Sequence, residues 1–344
     1  MKRRTIILLL SFAFCLPPSE AQTNFSSLNL PVSPQLAGLG VHFSAIPDGD
    51  FGIYGANHSL LSVKNDNDIF LDFSYYFNSY NHTVVGYAKN FKIAGTFAAS
   101  LQYVSYGTID EYDELGHALK KSYSYDMIFN VGWGKNIDSC WSIGANMKYL
   151  NSGLSGYHIN ALAFDVGASF VTKNRQLATS ILLKNIGFNF NKTNIEGYGP
   201  LPIELLAAIS YRVNHAPFRF CVTLQNLQRW NLSNVDLSAV TIDPLTGDEK
   251  KVNKGLAFGD NLLRHIVPGM ELILFKEYFT FRVGFDYHRF REMQVTGRSG
   301  AAGLSMGFGV NIYKFHLNYA FQFYSIASVP NHIAISTNIN SWKR

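Results

Sequence analysis

With 344 residues, 15% of them aromatic and only 15% charged, the chain has more ring surface and less charge than an ordinary soluble domain. Its formal net charge of +5 comes without a polybasic run, so composition leaves no footprint for nucleic acid. Beyond the first residues no window holds eighteen consecutive apolar residues, which excludes spanning helices. If this chain crosses a membrane it does so as a closed barrel, the other structure that pairs every backbone group in lipid.

The opening Met1-Lys2-Arg3-Arg4 is followed by an apolar run from Thr5 to Leu16, then by Pro17, Pro18 and Ser19-Glu20-Ala21. A basic start, an apolar stretch too short to span and a small-x-small site predict a signal peptide at 1–21, cut after Ala21. Export through the inner membrane follows from it. Cleavage removes Lys2, Arg3, Arg4 and Glu20, so the charge falls from +5 to about +3. Two cysteines, Cys140 and Cys221, are then left, and their count alone does not pair them.

Residues 22–68 are irregular, with Gly38, Gly40, Gly49, Gly52 and Gly55 interrupting any period. They are expected to fold into a barrel lumen or at its periplasmic mouth. From there to 344 the sequence reads as barrel. Strands are predicted at 69–77, 80–89, 93–106, 122–134, 141–150, 157–171, 177–185, 203–212, 218–227, 266–274, 279–288, 303–311, 314–323 and 332–339. Many have the roughly 9–11 residues a tilted spanning strand needs.

The pattern is clearest from 279 onward. Phe279, Phe281, Val283, Phe285 and Tyr287 alternate with Thr280, Arg282, Gly284, Asp286 and His288. Successive side chains of a strand face opposite ways, so one face is aromatic and the other polar or glycine. Lipid outside and a polar lumen inside ask for that pairing. The connections alternate too. Those at 90–92, 135–140, 172–176, 213–217, 275–278 and the junction Ile312-Tyr313 are short, whereas 107–121, 186–202, 228–265 and 289–302 are long. Short periplasmic turns and long extracellular loops are the habit of outer-membrane barrels.

Chemical motifs are few. Gly303-Leu304-Ser305-Met306-Gly307 spells a hydrolase elbow, but that motif needs a strand, a sharp turn and a helix, and here one alternating strand continues through it. The ten histidines show no metal-ligand spacing, and the acidic runs at Asp48-Gly49-Asp50 and Asp236, Asp243, Asp248, Glu249 lack a calcium-loop pattern. The protein is therefore read as non-enzymatic and without a cofactor. Arg282, Asp286, His288, Lys314 and His316 are expected on luminal polar faces. The long 228–265 loop, with Leu232, Val235, Leu237, Val240 and Leu245, is expected to give a surface partner something to bury.

The segment Phe25-Ser26-Ser27-Leu28-Asn29-Leu30-Pro31-Val32-Ser33-Pro34-Gln35-Leu36-Ala37-Gly38-Leu39-Gly40 resembles the start of the PorQ family of the Bacteroidetes type IX secretion system. So do 48–61, where Asn57-His58-Ser59-Leu60-Leu61 has His58 in place of the usual proline, the glycine-rich strands from Arg282 to Ala320, and Pro330-Asn331-His332. The resemblance implies a fourteen-stranded FadL-like barrel in the outer membrane. It further implies a place in the cell-surface attachment complex, with PorU-like and PorV-like components. There it would dock a PorZ-like surface protein that helps to anchor secreted cargo to lipopolysaccharide. The alternative is a FadL-like transporter of hydrophobic small molecules. A soluble all-β binding protein would need a second sheet to cover so many aromatic faces.

Overall fold

The computed structural model describes residues 25–48, 51–112, 117–154, 157–190, 200–233, 240–242, 249–251, 254–293, 300–325 and 328–342. The expected signal peptide lies outside them.

Seven strands make the first half of a wall: β1 (Asp68–Phe77), β2 (Tyr80–Asn90), β3 (Thr96–Tyr112), β4 (Ala118–Asn136), β5 (Trp141–Leu154), β6 (Tyr157–Val171) and β7 (Leu177–Asn189). The second half is β8 (Glu204–Arg212), β9 (Phe218–Leu224), β12 (Ile266–Leu274), β13 (Phe279–Phe285), β14 (Leu304–Ile312), β15 (Phe315–Gln322) and β16 (Asn331–Asn338). A separate hairpin, β10 (Val240–Ile242) with β11 (Glu249–Lys251), stands between β9 and β12. Each wall strand pairs antiparallel with its neighbours, and β16 closes on β1 in a register running from Asp68↔Asn338 to Tyr75↔Asn331. The fold is a closed fourteen-stranded antiparallel barrel, so no strand edge is left open along the seam.

Alternation decides what each face meets. In β1 the side chains of Ile69, Leu71, Phe73, Tyr75 and Phe77 point outward and are exposed, while Phe70, Asp72 and Ser74 are fully buried inside. The same outward apolar rows recur in Leu101 and Tyr103 of β3, Met147 and Tyr149 of β5, and Ile333 and Ile335 of β16. An exterior of this kind is stable only against hydrocarbon.

The wall is uneven. β3 and β4 have 17 and 19 residues, whereas β8 has 9, β9 has 7 and β13 has 7. Since each has one end at a short turn, the surplus projects at the long-loop end, on the order of 30 Å along the strand. The expected loop at 107–121 is therefore mostly strand, paired from Gly107↔Ser124 to Tyr112↔Ala118.

The lumen is filled by the chain's own N-terminal segment. Ser33 caps the short helix α1 (Pro34–Gly38), accepting from the Leu36 amide at 3.4 Å with Pro34 in the first turn, as a helix start favours. After α2 (Phe51–Ala56) come single 3-10 turns at His58–Leu60 and Val63–Asn65, and the chain enters β1. Leu36, Leu39, Ile46, Phe51, Ile53 and Leu61 pack in a buried cluster with Phe70, Val84, Ala88 and Ala98 of the wall. Phe25 and Leu28 join Ile128, Leu150, Ile159 and Leu201, while Phe43 and Ala45 meet Leu182 and Leu206. The segment thus touches most of the lumen circumference.

Glycines on the inner face mark where it docks. A Cβ on Gly284 would lie 2.0 Å from the Leu39 carbonyl oxygen, one on Gly144 2.3 Å from the Ser59 nitrogen, and one on Gly132 1.7 Å from the His58 ring. These wall positions are bare because plug atoms occupy the place of a side chain.

Candidate functional site

Two buried ion networks fix the plug. In the first, Glu271 of β12 accepts from Arg219 Nη1 of β9 at 2.9 Å, Arg282 Nε of β13 at 2.7 Å and Gln35 Nε2 of α1 at 3.3 Å. Arg219 also pairs with Asp48 of the plug, and Arg282 Nη1 donates to Asn318 Oδ1 at 3.0 Å. Asp48 is shared further with Arg175 at 3.2 Å, whose Nη2 donates to the Pro47 carbonyl at 2.7 Å. In the second, Lys148 bridges Asp165 at 2.7 Å and Asn185 Oδ1 at 2.9 Å, and Glu204 meets His42 Nε2 of the plug at 2.9 Å. Buried charges persist only when paired, and here each plug contact supplies a partner.

Burial also lowers the plug's His58 imidazole to about 4, helped by the Lys148 charge and only partly opposed by Asp165. At the short-turn end Asp66 is held below the ordinary carboxylate range, chiefly by the Asn90 amide.

A polar cavity of about 1200 Å3 opens at the short-turn mouth, bounded by Lys64, Arg175, Arg212, Glu277 and His316. Deeper in, a void of about 20 Å3 beside Leu28, Ile128, Lys148 and Asp165 has room for roughly one water. The lumen is closed between them by the plug.

At the long-loop mouth, helix α3 (Lys254–Arg264) rises from the top of β12, and helix α4 (Tyr287–Glu292) from the top of β13. They are tied together: Tyr287 Oη donates to Asp260 at 2.8 Å, Arg291 Nε reaches Asp260 at 3.1 Å, and Arg264 bonds both Asp260 and Glu292. Burial pushes the Asp260 carboxyl up, but hydrogen bonds from Arg264 and Tyr287 outweigh it and hold the group below its usual range.

The residues expected in the lumen separate on inspection. Arg282 is in the first network, and Asp286 is buried beside Gln225. His288 is not on a strand. Asp286 caps α4 by accepting from the Arg289 amide at 3.1 Å, which ends β13 at Phe285 and puts His288 on the helix. Lys314 is not luminal either; it sits in the turn between β14 and β15 with its ammonium 4.7 Å from the Trp342 ring and 4.8 Å from that of Tyr313. His316 faces the mouth cavity and pairs with Asn311 Oδ1 at 2.7 Å.

Among the loop residues, Leu232 is half-buried, its amide donating to Asn261. Only the backbone of Val240 is described, in β10, and Val235, Leu237 and Leu245 lie outside the described residues. Ser305 lies within β14, its Oγ 3.4 Å from where a Gly40 Cβ would be, and not at an elbow. Cys140 and Cys221 are both free thiols.

Sequence reasoning missed Arg219, Glu271, Asp48 and the Lys148–Asp165 pair. The signal was there for two of them: Glu271 is the lone carboxylate in an apolar strand, and Arg219 is flanked by Phe218 and Phe220.

Barrel, apolar exterior and plug define the class: a transmembrane β-barrel whose lumen is stoppered by its own N-terminal segment. No protein-family profile matches the chain, and no curated protein does. Among solved structures it is similar to the CymD monoaromatic hydrocarbon channel, at 14% identity over 92% of this chain and 97% of that one, with a TM-score of 0.46. The Pseudomonas putida toluene transporter TodX is similar at 9% identity over 93% and 99%, TM-score 0.46. A Pseudomonas aeruginosa FadL homologue is similar at 8% identity over the same shares, TM-score 0.46. Likeness at this level assigns no substrate.

Proposed function

We propose that this chain is an outer-membrane barrel of the PorQ type, which works at its extracellular rim by holding a surface protein of the type IX attachment complex. The observation that carries the reading is the plug. Two buried ion networks and three apolar clusters hold it in the lumen, so passage of a large solute would first have to undo them. What remains available is the uneven rim, with the β3–β4 hairpin on one side and α3 and α4 on the other. A PorZ-like protein, with PorU-like and PorV-like neighbours, is the partner expected there.

The test is co-purification from outer membranes of a tagged chain lacking residues 234–251. The barrel should still migrate as a heat-modifiable band while the PorZ-like protein is lost. Undiminished recovery of that protein sinks the role given to this loop.

A second reading, transport of hydrophobic small molecules, is favoured by one feature of the wall. Among the described residues, β7 pairs with β8 only from Leu177↔Tyr211 to Lys184↔Glu204, while its end from Ile186 to Asn189 bonds to β6 alone. At that step Asn185 takes a left-handed φ of 60° and bulges, donating to Asp165 and to the Pro202 carbonyl. The space behind holds about 20 Å3, too little for a hydrocarbon unless the plug moves. Uptake of a labelled aromatic hydrocarbon into liposomes carrying the protein, absent from empty liposomes, would favour transport over docking.

A further inference from the structure

Helix α3 wears its apolar side outward. At about 100° per residue, Asp260, Asn261 and Arg264 share one side, and Leu256, Phe258, Leu262 and Leu263 share the other. The polar side is the one against the protein: Asn261 and Arg264 are buried, Asn261 accepting from the Leu232 and Ser233 amides and Arg264 bonding Asp260 and Glu292. The apolar side is exposed, Leu256 at 74% and Phe258 at 58%. Trp230, half-exposed, lies against Phe258 with ring centroids 5.2 Å apart, and Leu227 is exposed below it.

The wall beneath is short. β9 and β13 have 7 residues and β12 has 9, against the roughly 9–11 a tilted strand needs to cross. Only His265 separates Arg264, the last residue of α3, from the first residue of β12, so the C-terminal end of the helix meets the wall where the outward apolar rows of β9 and β12 run out. Its outward row of leucines with Phe258 and Trp230 continues the belt upward, and tryptophan beside phenylalanine at that height matches an interfacial girdle.

We infer that α3 lies in the outer-leaflet interface, its apolar face among lipid acyl chains beneath their headgroups, where it completes the lipid-facing belt above the short strands. The occupant of the face is lipid. Continuity with the apolar exterior argues for it, and so does the reversed polarity, which pins Asp260, Asn261 and Arg264 toward the barrel and α4. The docking reading is tested on the loop at 234–251, whereas this inference concerns only the outward face of α3, and it stands whether or not that reading does.

The experiment is nitroxide scanning of the full chain in phosphatidylcholine–phosphatidylglycerol vesicles, in a Cys140→Ser/Cys221→Ser background checked for heat-modifiable folding. Labels go at Leu256 and Leu262, with Ile333 as the belt control and Lys121 as the water control. Oxygen should relax the Leu256 and Leu262 labels as it does Ile333, and a water-soluble nickel chelate should reach them several-fold less than Lys121. Nickel accessibility equal to that of Lys121 at both sites would overturn the inference and return the face to a soluble partner. In a second arm, Leu256→Cys in a Leu262→Ser/Leu263→Ser variant should shift toward the chelate while the barrel remains folded; no shift would likewise count against lipid contact.

Discussion

Replacing Glu271 by alanine tests the plug lock at its centre. Glu271 is 1% exposed and accepts from two guanidinium groups, at 2.9 Å from Arg219 and 2.7 Å from Arg282, and from Gln35 of the plug. Hydrogen bonds to a charged group are worth about 1.5–3 kcal/mol each. Removing one member of a buried pair costs about 3–5 kcal/mol, because the partner is left charged in a low dielectric. Arg219 keeps Asp48 and Arg282 keeps Asn318, which places Glu271→Ala toward the lower half, about 3–4 kcal/mol. The double variant Glu271→Met/Arg282→Met should be milder than the single one, because it leaves Arg219 and Asp48 as a balanced pair. The assay is urea unfolding of the refolded barrel in detergent, read by heat modifiability, with proteolysis of the N-terminal segment alongside. A single variant within 1 kcal/mol of the parent, or a double variant worse than the single, refutes the lock.

Three more expectations follow from the same geometry. His58 is neutral when the plug is seated, its value lowered to about 4 from an ordinary 6.5, so the unfolded chain binds the extra proton between those values. Stability is full above pH 6.5 and falls as pH drops toward 4, by about 3 kcal/mol in all, and the loss should flatten in His58→Asn; a parent profile level from pH 7 to 4 contradicts this. Gly284→Val sets a side chain into the Leu39 carbonyl and should cost about 1–3 kcal/mol, exposing the plug to protease while the sheet stays closed by circular dichroism. Phe73→Arg, an outward change on β1, should cost about 2–4 kcal/mol of folding into bilayers, and an inconsequential arginine there would show that this face does not meet lipid.

All fourteen wall strands were legible, and the reason is solvent. Lipid on one side and plug on the other impose strict alternation, as in Phe73 against Ser74 or Ile333 against Ala334. Where that contrast lapses, so did legibility. Between 107 and 121 the β3–β4 hairpin projects past the belt, and its sequence carries no alternating apolar row. The helices of the plug hid for another reason: α1 and α2 have 5 and 6 residues, too few to display a helical period. Its large apolar residues pack against small inner-wall ones such as Ala88, Ala98 and Ala163, which in sequence resemble filler. The pair Asp48–Arg219 escaped because its partners sit far apart along the chain. The outward leucines of α3 went unnamed in the 228–265 loop, because only the helix geometry shows which side of it is bonded to the barrel.

The bare glycines of the inner wall also constrain the order of assembly. Leu39, Ser59 and His58 press so closely on Gly284, Gly144 and Gly132 that the segment has no slack to slide through a finished cylinder. It precedes β1 directly, and β1 pairs with β16, the last of the described wall strands in chain order. The plug must therefore wait, cradled in an unfinished sheet, until β16 closes on β1 and seals it in.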